Sequence, residues 1–283
     1  MIRIAEGREM FNKSLDWKKN DFTIAVVPTM GCLHAGHLSL VRRAKELADK
    51  VVTTIFVNPL QFGPNEDLDD YPRQMEQDSK LLDAEGVDCL FCPQSQAMYP
   101  DNFQTVVRVE KLARGMCGND RPGHFDGVAT VVTKLFNLIQ PDFGLFGEKD
   151  FQQLTLVRQM VEDLNYQVKI VGCPIVREED GLAMSSINKY LLAEDREQAL
   201  SLSKSIAWAR QTIATSQTSL VAEKIIREVA HIINSSGAQL DYAVIVHGDT
   251  LQPEKFVGRR SVLAVAAKIK GRVRLIDNGL LMI

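Results

Sequence analysis

The chain has 283 residues, 45% hydrophobic and 24% charged, which is enough for two modest domains with proper cores. Its formal net charge of −3 offers no basic stripe for nucleic acid, although local positive charge can still hold a small phosphate ligand. No apolar run approaches the ~18 residues of a membrane span, so no membrane partner is expected. The N-terminus lacks a signal-like apolar stretch and the five cysteines are odd in number, so a cytoplasmic protein with reduced thiols is expected.

In chain order, Thr23 to Val27 reads as a strand that ends at Pro28, and His37 to Lys50 as a helix with Leu40, Val41, Ala44, Leu47 and Ala48 on one side. Val51 to Val57 is a second strand, Glu76 to Glu85 a helix stopped by Gly86, and Val87 to Cys92 a third strand. Cys89 and Cys92 form a CxxC, but no second pair follows at zinc spacing, so a plain strand is the expectation. A strand is expected at Thr105 to Val109, then an amphipathic helix through Val128, Val131, Val132, Leu135, Phe136 and Ile139. Phe143 to Phe146 is a strand, Phe151 to Leu164 a helix and Val168 to Val171 a strand. This alternation predicts an α/β domain, Rossmann-like, over 1–175, with ligands at the carboxyl ends of parallel strands.

Beyond Ile175 the pattern changes. Helices are expected around Leu202 to Ile213 and Val221 to Ile232, and strands at Tyr242 to Val246, Val262 to Ile269 and Arg272 to Ile276. Lys270-Gly271 signals a hairpin between the last two. A smaller C-terminal α+β domain over 176–283 is the expectation.

Chemistry concentrates after the strands. Met30-Gly31-Cys32-Leu33-His34-Ala35-Gly36-His37 joins the first strand to the first helix. A helix N-terminus favours phosphate, and two imidazoles beside it can balance charge on a triphosphate. The alternative is two surface histidines in a loop. Gly147-Glu148-Lys149-Asp150 also follows a strand and opens a helix. Lys149 can neutralise phosphate, while Asp150 either meets a ribose hydroxyl or caps the helix. Gln61 and Gln153 offer amides suited to hydroxyls and a carboxylate, or are ordinary surface glutamines. Met30 and Phe62 are either an apolar wall of a site or core. Met184-Ser185-Ser186 is an anion cradle or a helix cap. Asp78 either helps place magnesium or is structural.

The string Pro28-Thr29-Met30-Gly31-Cys32-Leu33-His34-Ala35-Gly36-His37 resembles the HxGH nucleotidyltransferase superfamily and, within it, pantothenate synthetases. Further segments agree in order: Phe56-Val57-Asn58-Pro59-Leu60-Gln61-Phe62, Tyr71-Pro72-Arg73, Arg121-Pro122-Gly123-His124-Phe125, Gly147 to Gln153, Asp180 to Ser186, and Arg274-Leu275-Ile276-Asp277-Asn278.

The resemblance implies ATP binding by Met30 to His37, by Gly147 to Asp150, by Val176 and by Met184, Ser185, Ser186 and Ile187. His37, His34 and Lys149 would be catalytic. Gln61 and Gln153 would hold (R)-pantoate, with Gln61 also at the β-alanine site. ATP would be a substrate with Mg²⁺, and the assembly a homodimer. The implied reaction joins pantoate to β-alanine through a pantoyl-adenylate, releasing AMP and pyrophosphate, with the second domain as a lid. One position departs from the family pattern: Ser185-Ser186-Ile187-Asn188 carries isoleucine where arginine is usual. Lys189 or Arg177 is the expected substitute charge. A nucleotidylyltransferase that keeps its adenylate, or a non-catalytic binding module, is the rival reading.

Overall fold

The computed structural model describes residues 1–63, 68, 71–216 and 220–282. It divides into two compact units. The first comprises Met1–Glu148 and Gln152–Pro174; the second comprises Lys149–Phe151 and Ile175–Ile283.

The first unit runs β1 (Ile2–Ile4), α1 (Gly7–Lys19), β2 (Ile24–Thr29), α2 (Ala35–Leu47), β3 (Lys50–Ile55), α3 (Met75–Ala84), β4 (Cys89–Phe91), α4 (Ser95–Met98), α5 (Cys117–Asp120), α6 (His124–Ile139), β5 (Phe143–Gly147), α7 (Phe151–Asp163) and β6 (Lys169–Cys173). Its six strands lie in the order β1-β4-β3-β2-β5-β6, and each pair is parallel. Central strands buried on both faces need continuous apolar runs rather than alternation. Accordingly Ile24, Ala25, Val26 and Val27 are all buried. Ala25 and Val27 pack with Leu40, Val41 and Ala44 of α2 and Leu82 of α3. On α6, residues 128 to 132 are buried in sequence, so this helix is covered nearly all round. Gln140 closes α6 in a left-handed conformation and Pro141 prevents its continuation.

The chain leaves β2 toward β3 on one side and returns to β5 on the other. The strand order therefore reverses between β2 and β5, the crevice where doubly wound sheets bind ligands.

The second unit holds α8 (Arg196–Thr215), α9 (Ala222–Ser235) and an antiparallel sheet of β7 (Gln239–His247), β8 (Ser261–Ile269) and β9 (Val273–Leu280). Alternate residues Leu263, Val265, Ala267 and Ile269 of β8 pack with Leu202, Ile206, Ile225 and Val229. Lys270 and Gly271 both have positive φ, and the Arg272 amide donates to the Ile269 carbonyl at 3.0 Å. That is the tight hairpin turn whose twist suits the flanking strands.

One expected strand does not form. Thr105 to Val109 forms no strand. Val106 is 56% exposed, and the Val107 amide donates to Thr130 Oγ1 on α6 at 3.0 Å, so the segment satisfies its backbone on a helix instead of a sheet edge. β1 and α1 are additional elements. Met10, Ser14 and Trp17 mark the buried stripe of α1.

Candidate active site

The turn after β2 is built by backbone bonds to two buried side chains. Gly31 has φ +85° and Cys32 φ +54°, so the chain doubles back sharply. A Cβ on Gly31 would lie 3.0 Å from Asp78 Oδ2 and 3.1 Å from Ile55 Cγ2, in a conformation that L residues avoid. The Asp78 carboxylate accepts the Cys32 and Leu33 amides, each at 2.8 Å. Thr29 Oγ1 accepts the Gly31 amide at 3.1 Å and donates to the Thr54 carbonyl at 2.6 Å. Asp78 is 1% exposed with both oxygens engaged. The carboxylate thus holds the loop, the structural one of the two alternatives for Asp78. Among the described residues no group of three His, Cys, Asp or Glu side chains is arranged for a metal.

His34 is the N-cap of α2, and its Nδ1 accepts the Gly36 amide at 3.1 Å. His37, three residues on, returns Nδ1 to the His34 amide at 3.4 Å. The ring centroids are 4.1 Å apart. An imidazole nitrogen that accepts an N–H carries no proton, so each neutral ring keeps its proton on Nε2. The backbone thus selects a donor tautomer at a helix start already favourable to anions. Met30, Gly36, His34 and His37 are half-buried and Ala35 is exposed.

β3 pairs with β2 so that Ile55 lies beside Thr29, and a 3-10 turn, Pro59–Gln61, follows it. Gln61 therefore leaves the same sheet edge as His34. Asn58 is the hub of this turn. Its Oδ1 accepts the Leu60 amide at 3.3 Å and the Tyr99 hydroxyl at 2.8 Å. Its Nδ2 donates to the Gly127 carbonyl at 3.0 Å and to Gln61 Oε1 at 2.9 Å. Two of these partners are backbone groups of fixed polarity, so the Asn58 amide has one orientation. Gln61 then has its Oε1 occupied and presents Nε2–H donors. Burial pushes the Tyr99 phenol well up, which keeps it a hydroxyl donor.

Helix α6 meets this turn backbone to backbone. A Cβ on Gly127 would come within 2.2 Å of the Leu60 carbonyl oxygen and 2.7 Å of the Gln61 nitrogen. His124 Nδ1 lies 2.8 Å from the Gln61 carbonyl oxygen, to which Arg121 donates at 3.4 Å. Phe62 stacks edge-on against Tyr71 at 5.8 Å. On α7, Gln153 is half-buried, whereas its neighbour Gln152 is buried and donates to the Leu112 carbonyl at 2.9 Å.

Gly147 ends β5, next to β2 in the sheet, and Glu148 follows it; both are half-buried. Lys149 and Asp150 group with the second unit; Lys149 is half-buried and Asp150 exposed. Within that unit Val176 and Met184 are tied by the Met184 amide, which donates to the Val176 carbonyl at 2.9 Å. Ser185 precedes a 3-10 turn, Ser186–Tyr190, without capping it through its side chain.

Ile187 packs against the hydrophobic core of the second unit. Arg177 is not a spare cation. Its guanidinium grips Asp277 through two bonds, at 2.7 and 3.0 Å, so the expected substitution of Arg177 for the missing arginine is corrected. Lys189 Nζ lies 5.3 Å from the centroid of the Tyr190 ring. The roles of Asn58, Tyr99 and Gly127 were not foreseen from the sequence. Asn58 stood inside a recognised string, but nothing local marks it as a hub.

A parallel sheet with paired histidines at the helix start beside its reversal point defines an α/β enzyme of the nucleotide-binding type. The sequence matches the pantoate-beta-alanine ligase family over residues 3–280. It is 48% identical to pantothenate synthetase of Desulfotalea psychrophila over 100% of both chains, and 50% identical to that of Thermotoga petrophila over 99% of each. The fold superposes on pantothenate synthetase of Thermus thermophilus with TM-score 0.93 at 42% identity, covering 100% of both chains. A pantoate-beta-alanine ligase from Francisella tularensis, solved with beta-gamma ATP and beta-alanine, gives TM-score 0.78 at 36% identity over 99% and 98% of the two chains. The chain belongs to the pantoate-beta-alanine ligase family, whose activity lies in pantothenate biosynthesis.

Proposed function

We propose that the chain condenses (R)-pantoate with β-alanine in two steps through a pantoyl-adenylate, releasing pyrophosphate and then AMP. The observation that carries this is the pair of Nε2–H imidazoles at the start of α2, beside the strand-order reversal. In the first step the pantoate carboxylate attacks the α-phosphorus of ATP. The carboxylate is already anionic, so no general base is required. The protein positions the reactants and meets phosphate charge as pyrophosphate leaves. His34 and His37 donate Nε2–H to phosphate oxygens. Lys149 adds a point charge, and Ser185 and Ser186 add hydroxyls. Gln61 donates to oxygens of pantoate, with Gln153 beside it in function. Magnesium enters as part of the MgATP substrate, with phosphates as its ligands.

In the second step the neutral amine of β-alanine attacks the mixed anhydride and AMP departs. An ordinary aliphatic ammonium has a pKa near 10, so the amine loses its proton before or during attack. The second unit serves as a lid that shields the anhydride from water. We place the enzyme in the cytoplasm from resemblance; the five cysteines are free, and no described helix is long and apolar enough to cross a membrane. A homodimer follows from resemblance alone. The test supplies MgATP, D-pantoate and β-alanine. AMP and pantothenate should appear in equal amounts, whereas ADP in place of AMP contradicts the proposal.

A further inference from the structure

No step of this reaction uses the run Arg274-Leu275-Ile276-Asp277-Asn278 near the end of β9. Two of its polar side chains are nonetheless buried, Asp277 at 3% and Asn278 at 6% exposure. Neighbours on a strand point to opposite faces, so the two reach different segments. Asp277 accepts both Arg177 terminal nitrogens and, at 2.8 Å, the Asn278 amide. Arg177 Nη1 also donates to the Gly181 carbonyl at 3.0 Å. The pair thereby ties down the small hairpin formed where Arg177 bridges Ala183, which leads directly to Ser185 and Ser186. From the other face, Asn278 Nδ2 donates to the main-chain carbonyl of Lys149 at 2.8 Å.

We propose that Asp277 and Asn278 are a positioning pair, setting the backbone of both segments assigned to the ATP phosphates. Asn278 holds Lys149 directly, and Asp277 holds the Ser185–Ser186 segment through Arg177. This rests on the reading that Lys149 and the two serines meet phosphate. Lysine is a point charge on a flexible four-carbon stem, so its reach is defined only if its backbone is fixed. The anchor is itself fixed, because Asp277 pairs with Val265 and Asn278 with Ala264 across the β8–β9 ladder. A displacement of about 1 Å at a reacting centre costs on the order of 10²-fold in rate.

The test is a double-mutant cycle. Asn278→Asp keeps the shape but sets an acceptor against the Lys149 carbonyl. Asn278→Ala removes the donor without repulsion, and serves if the first variant melts early. AMP formation from MgATP and pantoate is followed in a single turnover, with KM measured for each substrate. Either variant should slow adenylation by about tenfold or more and leave the pantoate KM within about twofold. In a Lys149→Ala background the same change should add nothing. Wild-type rates in both Asn278 variants, beside a crippled Lys149→Ala, overturn the proposal. So does an equal fold-loss in both backgrounds, which marks a purely structural role. Full turnover by Lys149→Ala overturns instead the phosphate reading beneath it.

Discussion

His37 turns its Nδ1 back to the main-chain amide of His34, 3.4 Å away, so each ring of the pair is locked by the backbone of the other's turn. The two nitrogens of His34 accordingly separate into a structural and a chemical role. Nδ1 caps the helix, which leaves Nε2 to carry the ring proton as donor. Asparagine can reproduce the first function and not the second. His34→Asn should hold the melting temperature near wild type, since Asn is among the best N-caps, while turnover falls by about 10²-fold or more. His34→Ala should lose activity as well as about 0.5–2 kcal/mol of stability. Calorimetry beside AMP release checks both; an active Asn variant would remove the Nε2 donor from the chemistry.

Gly127 lets α6 touch the turn that carries Gln61. Gly127→Ala puts a Cβ where the Leu60 carbonyl oxygen lies, 2.2 Å away, and backbone on both sides has nowhere to yield. Overpacking of this kind costs about 1–3 kcal/mol. Because the displaced element is the Gln61 turn, the pantoate KM should rise more than the ATP KM. Steady-state kinetics with each substrate varied decides it, and an ATP-selective defect would mean that Gln61 does not serve pantoate.

Ile187 stands where the resemblance led to an expected arginine, and its half-buried side chain packs against the second unit's core. Ile187→Arg should lower the melting temperature and leave the ATP KM unchanged, because the charged group must turn away from the apolar core surface that isoleucine covers. A clear fall in ATP KM would instead show that the position faces the triphosphate.

Burial pushes the Cys89 thiol up to about 12. A raised thiol pKa favours the uncharged, unreactive form. Alkylation of the native protein at pH 8, read by peptide mass spectrometry, should leave Cys89 unmodified; rapid labelling there would revive a redox role for the CxxC.

Most of the parallel domain was legible because buried strands and helix stripes write themselves into apolar spacing. Ile24 to Val27 and Val128 to Ile139 are clear cases. Thr105 to Val109 misled because it has β-type composition without a neighbouring strand to pair with. The site divides along the same line. His34 and His37 act through a local turn, and their three-residue spacing announces it. Asp78 reaches back 46 positions to the Cys32 amide, and Asn278 reaches 129 positions to Lys149; contacts of that range leave no local period to read.

The adenylate is the centre of the account, and pyrophosphate exchange tests it most directly. Labelled pyrophosphate should pass into ATP when pantoate is present and β-alanine is withheld, and should not do so without pantoate. Exchange that needs β-alanine, or that proceeds with ATP alone, would contradict a pantoyl-adenylate formed before the amine attacks.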